Sequence, residues 1–333
     1  MPTTLVTGAA GFIGSHVVDA LIERGHNVVA LDDLSGGFED NVSAKAKFIE
    51  ASCVDHVRLT RLFNEHSFDY VFHLAAYAAE GLSHFIKRFN YTNNVIGSIN
   101  LINEAVNHNV KRFIFTSSIA VYGKNQLPML EDLTPAPEDS YGIAKYAVEL
   151  DLKASHEMFG LDYVIFRPHN VYGERQNTGD KYRNVIGIFM NQTLHGEQFT
   201  IFGDGEQKRA FSYIGDIAPI LADSATLDAA RNEIFNVGAD AVYSVNELAD
   251  EVMNAMGVKT EVRHLPARNE VVDAWSDHSK VQRIFGTNAE TPLAEGLRRM
   301  AEWVRKTGAR KSKPFEGIEI EKNLPGSWKP GLR

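Results

Sequence analysis

Cysteine is almost missing from this 333-residue chain: Cys53 stands alone. No internal disulfide can form, and a reducing compartment, the cytoplasm, is expected. Positive charge is also short, with 34 Lys and Arg against 43 Asp and Glu and a net charge of −9. Non-specific binding to nucleic acid, which needs a basic surface, is therefore not expected. Apolar runs stop well short of a bilayer span, so no membrane insertion is expected. The opening MPTTLVTGAAGFIG has no basic stretch before an apolar run, so it does not read as a signal peptide. The 12 histidines are scattered, with no His-x-x-x-His pair and no cysteine cluster, and no metal site is expected. There is no internal repeat. What remains is an ordinary globular composition, 44% hydrophobic and 23% charged, enough for one large or two ordinary domains.

The first half alternates short apolar runs with helical patterns. TLVTG, NVVALDD, KFIEA, DYVFHLAA, KRFIFTSS and DYVIFRP read as strands, and EIFNVG (233–238) as a late strand returning to the same sheet. Gly11 to Glu23, Asn90 to Asn107 and Tyr141 to Phe159 read as helices. Strands of Val, Ile and Phe separated by helices predict an α/β fold, a Rossmann-type doubly wound parallel sheet covered on both faces. After Pro168 the rhythm changes to long loops rich in Gly, Asn, Asp and charge, a pattern common in binding loops. Ser244 and Gly257 bracket a further helix as its N-cap and its stop. The tail from Gly308 onward reads as a surface extension.

Between the first strand and the first helix stands VTGAAGFIG, with Gly8, Gly11 and Gly14 spaced Gly-x-x-Gly-x-x-Gly. One glycine permits the tight turn, another lets backbone approach a pyrophosphate, and the third allows helix and sheet to close together. The helix then offers its free N–H groups to phosphate. The second strand ends at Asp32, whose carboxylate would bind both ribose hydroxyls and repel a 2′-phosphate, favouring NAD over NADP. Asp33 is the alternative for this role.

A second constellation is chemical. TSSIAVYG (116–123) follows a predicted strand, at the end that faces the ligand crevice in open α/β sheets. Tyr141 and Lys145, in YGIAK, share a helix face. A free tyrosine ionises near pH ~10, so base action near neutrality requires about 4 kcal/mol in favour of the phenolate. Lys145 beside it, and a nicotinamide cation, are expected to supply this. With Ser118 holding a substrate oxygen, the set suits reversible oxidation of a carbinol.

Together these residues resemble the extended short-chain dehydrogenase/reductases, specifically the NAD-dependent nucleotide-sugar epimerase/dehydratase family. The likeness runs along nearly the whole chain, through TGAAGFIG, HLAA (73–76), NYTNNVIGSINLI (90–102), TSSIAVYG, YGIAK, RPHNVYG (167–173) and IFGDGEQKRAFSYIGDIA (201–218). The resemblance implies Ser118, Tyr141 and Lys145 as the catalytic residues. It implies an NAD site formed by Gly8, Gly11, Phe12, Ile13, Gly14, Asp32, Ser52, Cys53, Leu74, Ala75, Ala76 and Asn94 together with Tyr141 and Lys145. Beyond Ser118 and Tyr141, the substrate contacts it implies are Asn170, Arg209 and Arg268 on the nucleotide diphosphate and Asp277 in a nucleotide-side motif. Arg183 and Asn184 fall in the substrate loop, and Glu80 is a candidate to touch the sugar.

Departures from the family narrow the chemistry. Ile119 and Ala120 stand where the family's dehydratases carry an Asp-Glu pair and its decarboxylases a Glu, and no cysteine is near Ala120. What is left resembles the UDP-glucose 4-epimerases: oxidation at sugar carbon four, rotation of the 4-keto sugar, and reduction on its other face. Ala144 replaces a usual Ser, and Ser52 a usual Asp that holds the adenine amino group. The competing readings are a related dehydrogenase, reductase or dehydratase that turns over its cofactor, and a non-catalytic dinucleotide-binding module. The resemblance further implies an NAD-binding domain over residues 1–172 with 210–240 returning to it. A smaller mixed α/β nucleotide-sugar domain would comprise 173–209 and 241–333. A homodimer through the helices Asn90–Asn107 and Tyr141–Phe159 is also implied.

Overall fold

The structure, a computed structural model, describes residues 1–180, 182–267, 271, 273–287, 290–309 and 315–328. Its centre is a seven-stranded parallel sheet. The strands are β1 (Thr3–Thr7), β2 (Asn27–Asp32), β3 (Lys47–Glu50), β4 (Tyr70–His73), β5 (Arg112–Thr116), β6 (Tyr163–Pro168) and, after four short strands, β11 (Glu233–Val237). Their spatial order is β11-β6-β5-β4-β1-β2-β3, all parallel, with Val6 opposite Ala30 on one side and Phe72 on the other. The strand order reverses at β1, which opens a crevice at the carboxyl ends of β1 and β4, where such sheets bind ligands.

The strands are apolar on both faces because both faces are covered. Along β1, Leu5 enters one core and Val6 the other; along β5, Phe113 and Phe115 point one way and Ile114 the opposite way. One face carries α2 (His56–Glu65), α5 (Gly97–Asn107) and α6 (Ser140–Phe159); the other carries α1 (Phe12–Glu23) against α8 (Ile214–Asp223). The second core continues into Phe189, Phe199, Met300 and Val304, so the later part of the chain shares apolar packing with the sheet. That part contains β7 (Val171–Tyr172), β8 (Phe199–Phe202), β9 (Lys208–Ala210), β10 (Ser212–Tyr213), β12 (Val242–Ser244) and β13 (Val262–Leu265), paired as β7–β10, β9–β12 and β8–β13. Its helices are α7 (Val185–Leu194), α9 (Val245–Met256), α10 (Ser279–Phe285) and α11 (Leu293–Thr307). Ser244 and Glu247 form a reciprocal capping box on α9, and Gly257 ends it in the left-handed conformation, φ 64°.

Two expectations need correction. The helix read as Asn90–Asn107 begins earlier, as α4 (Lys87–Tyr91) preceded by the short α3 (Glu80–Ser83), and is widened by a π-helical segment, Thr92–Ile96, before α5. Within that segment the Asn94 side chain clasps the backbone of Tyr77: it accepts from Tyr77 N–H at 2.8 Å and donates to Tyr77 O at 3.1 Å. The tail, expected as a surface extension, runs exposed over the surface from Glu319 to Asn323 but is anchored to the body, with Leu324 and Trp328 buried.

Candidate active site

The crevice at the switch point opens into a cavity of about 1540 Å³ that runs from the β1 turn to the later loops. Its inner end is built by backbone. Gly8 has φ +70°, and a Cβ there would lie 2.7 Å from Ala75 N, in the turn after β4. A Cβ on Gly14 would lie 2.0 Å from Gly8 O, so α1 can approach the turn only without one. Asp32 ends β2 with its carboxylate accepting from Ala10 N–H at 3.0 Å and Leu34 N–H at 2.8 Å. Burial raises its pKa and these two bonds oppose the rise. A glycine turn that side chains would fill, facing a buried carboxylate at the end of β2, fits a dinucleotide.

Ser118, Tyr141 and Lys145 meet at the ends of β5 and α6. Asp139 starts α6 by accepting from Tyr141 N–H and Gly142 N–H, both at 2.9 Å, which fixes the first turn and aims the phenol into the cavity. Ser83, on α3, also accepts from Tyr141 N–H at 3.1 Å. Ser118 caps a short 3-10 turn by accepting from Ala120 N–H at 3.1 Å and stands beside the Tyr141 phenol, whose proton affinity it lowers. Lys145 donates to Thr116 O at 2.8 Å, with its Nζ 5.8 Å from the Tyr141 ring centroid.

Burial dominates the electrostatics of the pair. With the charges of Glu80 and Asp139 it holds the Tyr141 phenol above its ordinary value, while Ser118 and the charge of Arg183 pull it down. Burial also lowers Lys145 to about 7, with the carboxylate of Glu149 acting in the opposite direction. Behind the site, Arg167 and Glu149 form a buried ion pair at 2.6 Å; Glu149 also accepts from Ser117 at 2.5 Å, and Arg167 donates to Tyr122 at 2.8 Å.

Of the residues expected from sequence, Gly8, Gly11, Phe12, Ile13, Gly14, Asp32, Ser52, Cys53, Leu74, Ala75, Ala76, Ser118, Tyr141, Lys145, Asn170 and Arg209 line this one cavity, as does Asp33. Asn170, φ +41°, donates to Ala210 O at 3.1 Å. Arg209 donates to Lys208 O at 2.8 Å and to Val271 O, so its guanidinium is braced by main chain. Two residues fall elsewhere. Asn94 lies outside the lining and acts through Tyr77. Asp277 also lies outside it and accepts from both the N–H and the hydroxyl of Ser279, the first residue of α10. Arg268 lies outside the described residues. Arg183 lines the cavity, ion-paired with Asp180 at 2.8 Å and stacked over the Tyr77 ring at 4.6 Å. Asn184 caps α7 by accepting from Ile186 N–H at 3.1 Å.

The corner behind Asn170 holds two stacked, buried histidines. His169 Nδ1 donates to Ala210 O at 3.2 Å, because a carbonyl can only accept; its Nε2 then accepts from His278 Nε2 at 2.9 Å. His278 reaches Asp240 at 2.6 Å on its other side. Among the described residues no group of three or more His, Cys, Asp or Glu is placed to hold a metal ion, and no helix is long and apolar enough to cross a membrane. Sequence reasoning missed Tyr77 and Trp328 as lining residues. Trp328, an aromatic inside a polar Pro-Gly tail, was the available signal.

A parallel sheet with this turn at its switch point, and with an acid–base side chain facing the same crevice, defines an NAD-binding α/β enzyme. The chain belongs to the NAD dependent epimerase/dehydratase family, which its sequence matches over residues 4–238. It is 34% identical over 310 residues to a UDP-glucose 4-epimerase of Mycolicibacterium smegmatis, covering 91% of this chain and 98% of that one. Among solved structures it is similar to a UDP-glucose 4-epimerase with UDP-glucose from Thermotoga maritima, with 38% identity and a TM-score of 0.88, covering 92% of this chain and 99% of the other. It is also similar to a UDP-N-acetylglucosamine 4-epimerase from Methanobrevibacter ruminantium in complex with UDP-N-acetylmuramic acid, with 34% identity and a TM-score of 0.86, covering 92% and 99%.

Proposed function

We propose that this protein is an NAD-dependent, redox-neutral 4-epimerase of UDP-sugars. The observation that carries the reading is the meeting of Ser118, Tyr141 and Lys145 in one cavity with the glycine turn, while Ile119 and Ala120 leave no second acid–base group beside Ser118. NAD, when bound, supplies a positive ring and a reversible hydride acceptor for sugar carbon four. Gly8, Gly11, Phe12, Ile13, Gly14, Asp32, Ser52, Cys53 and the Leu74–Ala76 turn would hold it, with Tyr141 and Lys145 at its reactive end. Tyr141 Oη takes the proton of the sugar 4-hydroxyl and later returns it to the same oxygen, once the sugar has turned its opposite face. Ser118 Oγ steadies that oxygen in both directions. Lys145, anchored to Thr116 O, places a titratable amine on the same wall. Asn170 and Arg209 grip the diphosphate through charge-assisted bonds, so the 4-keto sugar can turn about a fixed nucleotide.

Residues 1–172 and 210–240 form the NAD half in this reading, and 173–209 with 241–333 the nucleotide-sugar half. A homodimer is supported by α6, on which Ile143, Ala147, Leu150, Ala154 and Met158 form an exposed apolar stripe at helical spacing, beside exposed Ile96. A cytoplasmic location suits a chain whose one thiol is buried and unpaired.

The test is incubation with UDP-glucose, and separately UDP-galactose, without added NAD, followed by proton NMR. Interconversion of the two is expected. Stoichiometric consumption of added NADH, or a product lacking a 4-hydroxyl, would replace this reading with a reductase or a dehydratase.

A further inference from the structure

Phe315–Trp328 (FEGIEIEKNLPGSW) has the composition of a solvated tail. Its contacts say otherwise. The Glu319 carboxylate accepts from Arg88 N–H at 2.8 Å and Phe89 N–H at 2.9 Å, at the start of α4. The backbone N–H groups of Glu319 and Ile320 both donate to Phe85 O, at 2.8 and 3.1 Å. The Phe315 ring meets Phe89 at 4.9 Å and Tyr77 at 5.4 Å; the Trp328 ring meets Tyr182 at 5.5 Å and Phe85 at 6.2 Å. Ile320, Lys322, Asn323, Pro325, Gly326 and Trp328 then face the cavity.

The end of the cavity they face is the reactive one. Helix α3 touches both Trp328 and Tyr141. At Gly81 a Cβ would meet Trp328 Cη2 at 3.2 Å, so the ring packs closely against the helix. Two residues on, Ser83 bonds Tyr141 N–H. Glu80, on the same helix, is the charge that most raises the phenol's proton affinity. The nucleotide grip, Asn170 and Arg209, comes from other elements, the turn after β6 and the strand β9.

We propose that the strap Phe315–Trp328 is the outer wall of the sugar subsite, and that Trp328 sets how large a substituent on the hexose is admitted. This rests on the UDP-sugar reading above. The physical reason is the kind of contact an aromatic wall makes. Apolar contact has no preferred direction, so rings confine a sugar without fixing its orientation. A sugar that must present both faces to Tyr141 needs confinement of that kind, whereas a wall of hydrogen-bonding groups would lock one face. The cost is poor chemical discrimination, which leaves size as the property read. An N-acetyl group in place of a hydroxyl adds three heavy atoms, a difference a fixed wall can register.

The experiment is calorimetric binding of UDP, UDP-glucose and UDP-N-acetylglucosamine to the NAD-loaded protein, in a Tyr141→Phe background so that turnover does not intervene. Trp328→Ala is expected to leave UDP affinity within about twofold while favouring UDP-N-acetylglucosamine over UDP-glucose by about fivefold or more relative to the parent. Trp328→Phe keeps an aromatic ring in the packed strap and is expected to move the same ratio in the same direction by a smaller factor. An unchanged ratio in either variant, or an equal loss for all three ligands, would overturn the proposal. Failure of the epimerase reading shows in the NMR experiment and leaves these equilibrium ratios standing.

Discussion

The two walls of the cavity are built by different physics. The inner wall is made of backbone and buried charge: Gly8 and Gly14 in the β1 turn, Asp32 held by two N–H groups, and the Arg167–Glu149 pair behind Ser117. Its distances are fixed by a sheet, and single atoms decide whether it forms. The outer wall is made of side chains from distant parts of the chain, with ring centroids 5.4 and 5.5 Å apart (Tyr77 and Phe315, Tyr182 and Trp328) and arginines braced on carbonyls or carboxylates. Such contacts give way gradually. A rigid inner wall suits a bond that must break and re-form at one carbon. A compliant outer wall suits a substrate that must turn over between those events.

The comparison breaks if inner-wall substitutions act mildly. The largest effect is expected at Tyr141→Phe, which removes the acid–base group and should lower kcat by about 10²- to 10⁴-fold with little change in UDP-sugar affinity, read by NMR turnover and calorimetry. Retention of activity would remove the phenol from the mechanism. Next in size is Glu149→Gln. It leaves the Arg167 guanidinium buried opposite a neutral amide, a loss expected to cost about 3 to 5 kcal/mol in urea unfolding. A cost near that of a surface substitution would mean the pair is not the rigid support described. On the outer side, Arg209→Ala should weaken UDP binding by about 1.5 to 3 kcal/mol, the worth of hydrogen bonds to a charged partner, while Tyr141-dependent proton transfer is spared. A fall in kcat with unchanged KM would put Arg209 on the inner side of the division.

The inner wall was also the legible one. Gly8, Gly11 and Gly14 work within one turn, and Asp32 at the end of the next strand, so short-range spacing carried them. Strand alternation marked the sheet because both faces are buried and every apolar position is used. The outer wall was not legible because its meaning depends on partners far along the chain. Glu319 caps Arg88, 231 positions away, and nothing within its own segment distinguishes that from a solvated carboxylate. Asp277 carries the same local pattern, Asp-x-Ser, whether its carboxylate turns back on its own segment or meets a ligand; here it bonds Ser279. Asn94 gave no local sign that its side chain would bond both backbone groups of Tyr77, 17 positions earlier. Spacing put Lys145 on the face of Tyr141 but carried no sign of how deeply its amine is buried, which lowers its pKa to about 7.

The smallest effect tests both walls through histidines that each keep buried. His73, at the end of β4, lies between Thr7 and Ser98. The Ser98 hydroxyl donates to Asn94 O, so it accepts from His73 Nε2 at 2.8 Å, and Thr7 lies 2.7 Å from His73 Nδ1. Burial and the Lys145 charge lower His73 to about 3; burial and the His278 charge lower His169 to about 3. Both folded values lie below the ~6.5 of an unfolded histidine, so between these limits the unfolded chain binds more protons. Stability must then be present above pH ~6.5 and be lost as pH falls toward 3, by about 1.4 kcal/mol per pH unit for each histidine once well below 6.5. Urea unfolding at pH 7.5 and 5.5 reads the loss. His169→Asn should reduce the proton uptake on unfolding by about one in that window and leave the His73 contribution in place. A slope unchanged by His169→Asn would mean that the outer corner opens to water at low pH while the inner wall stays closed, which is the same asymmetry seen from the side of stability.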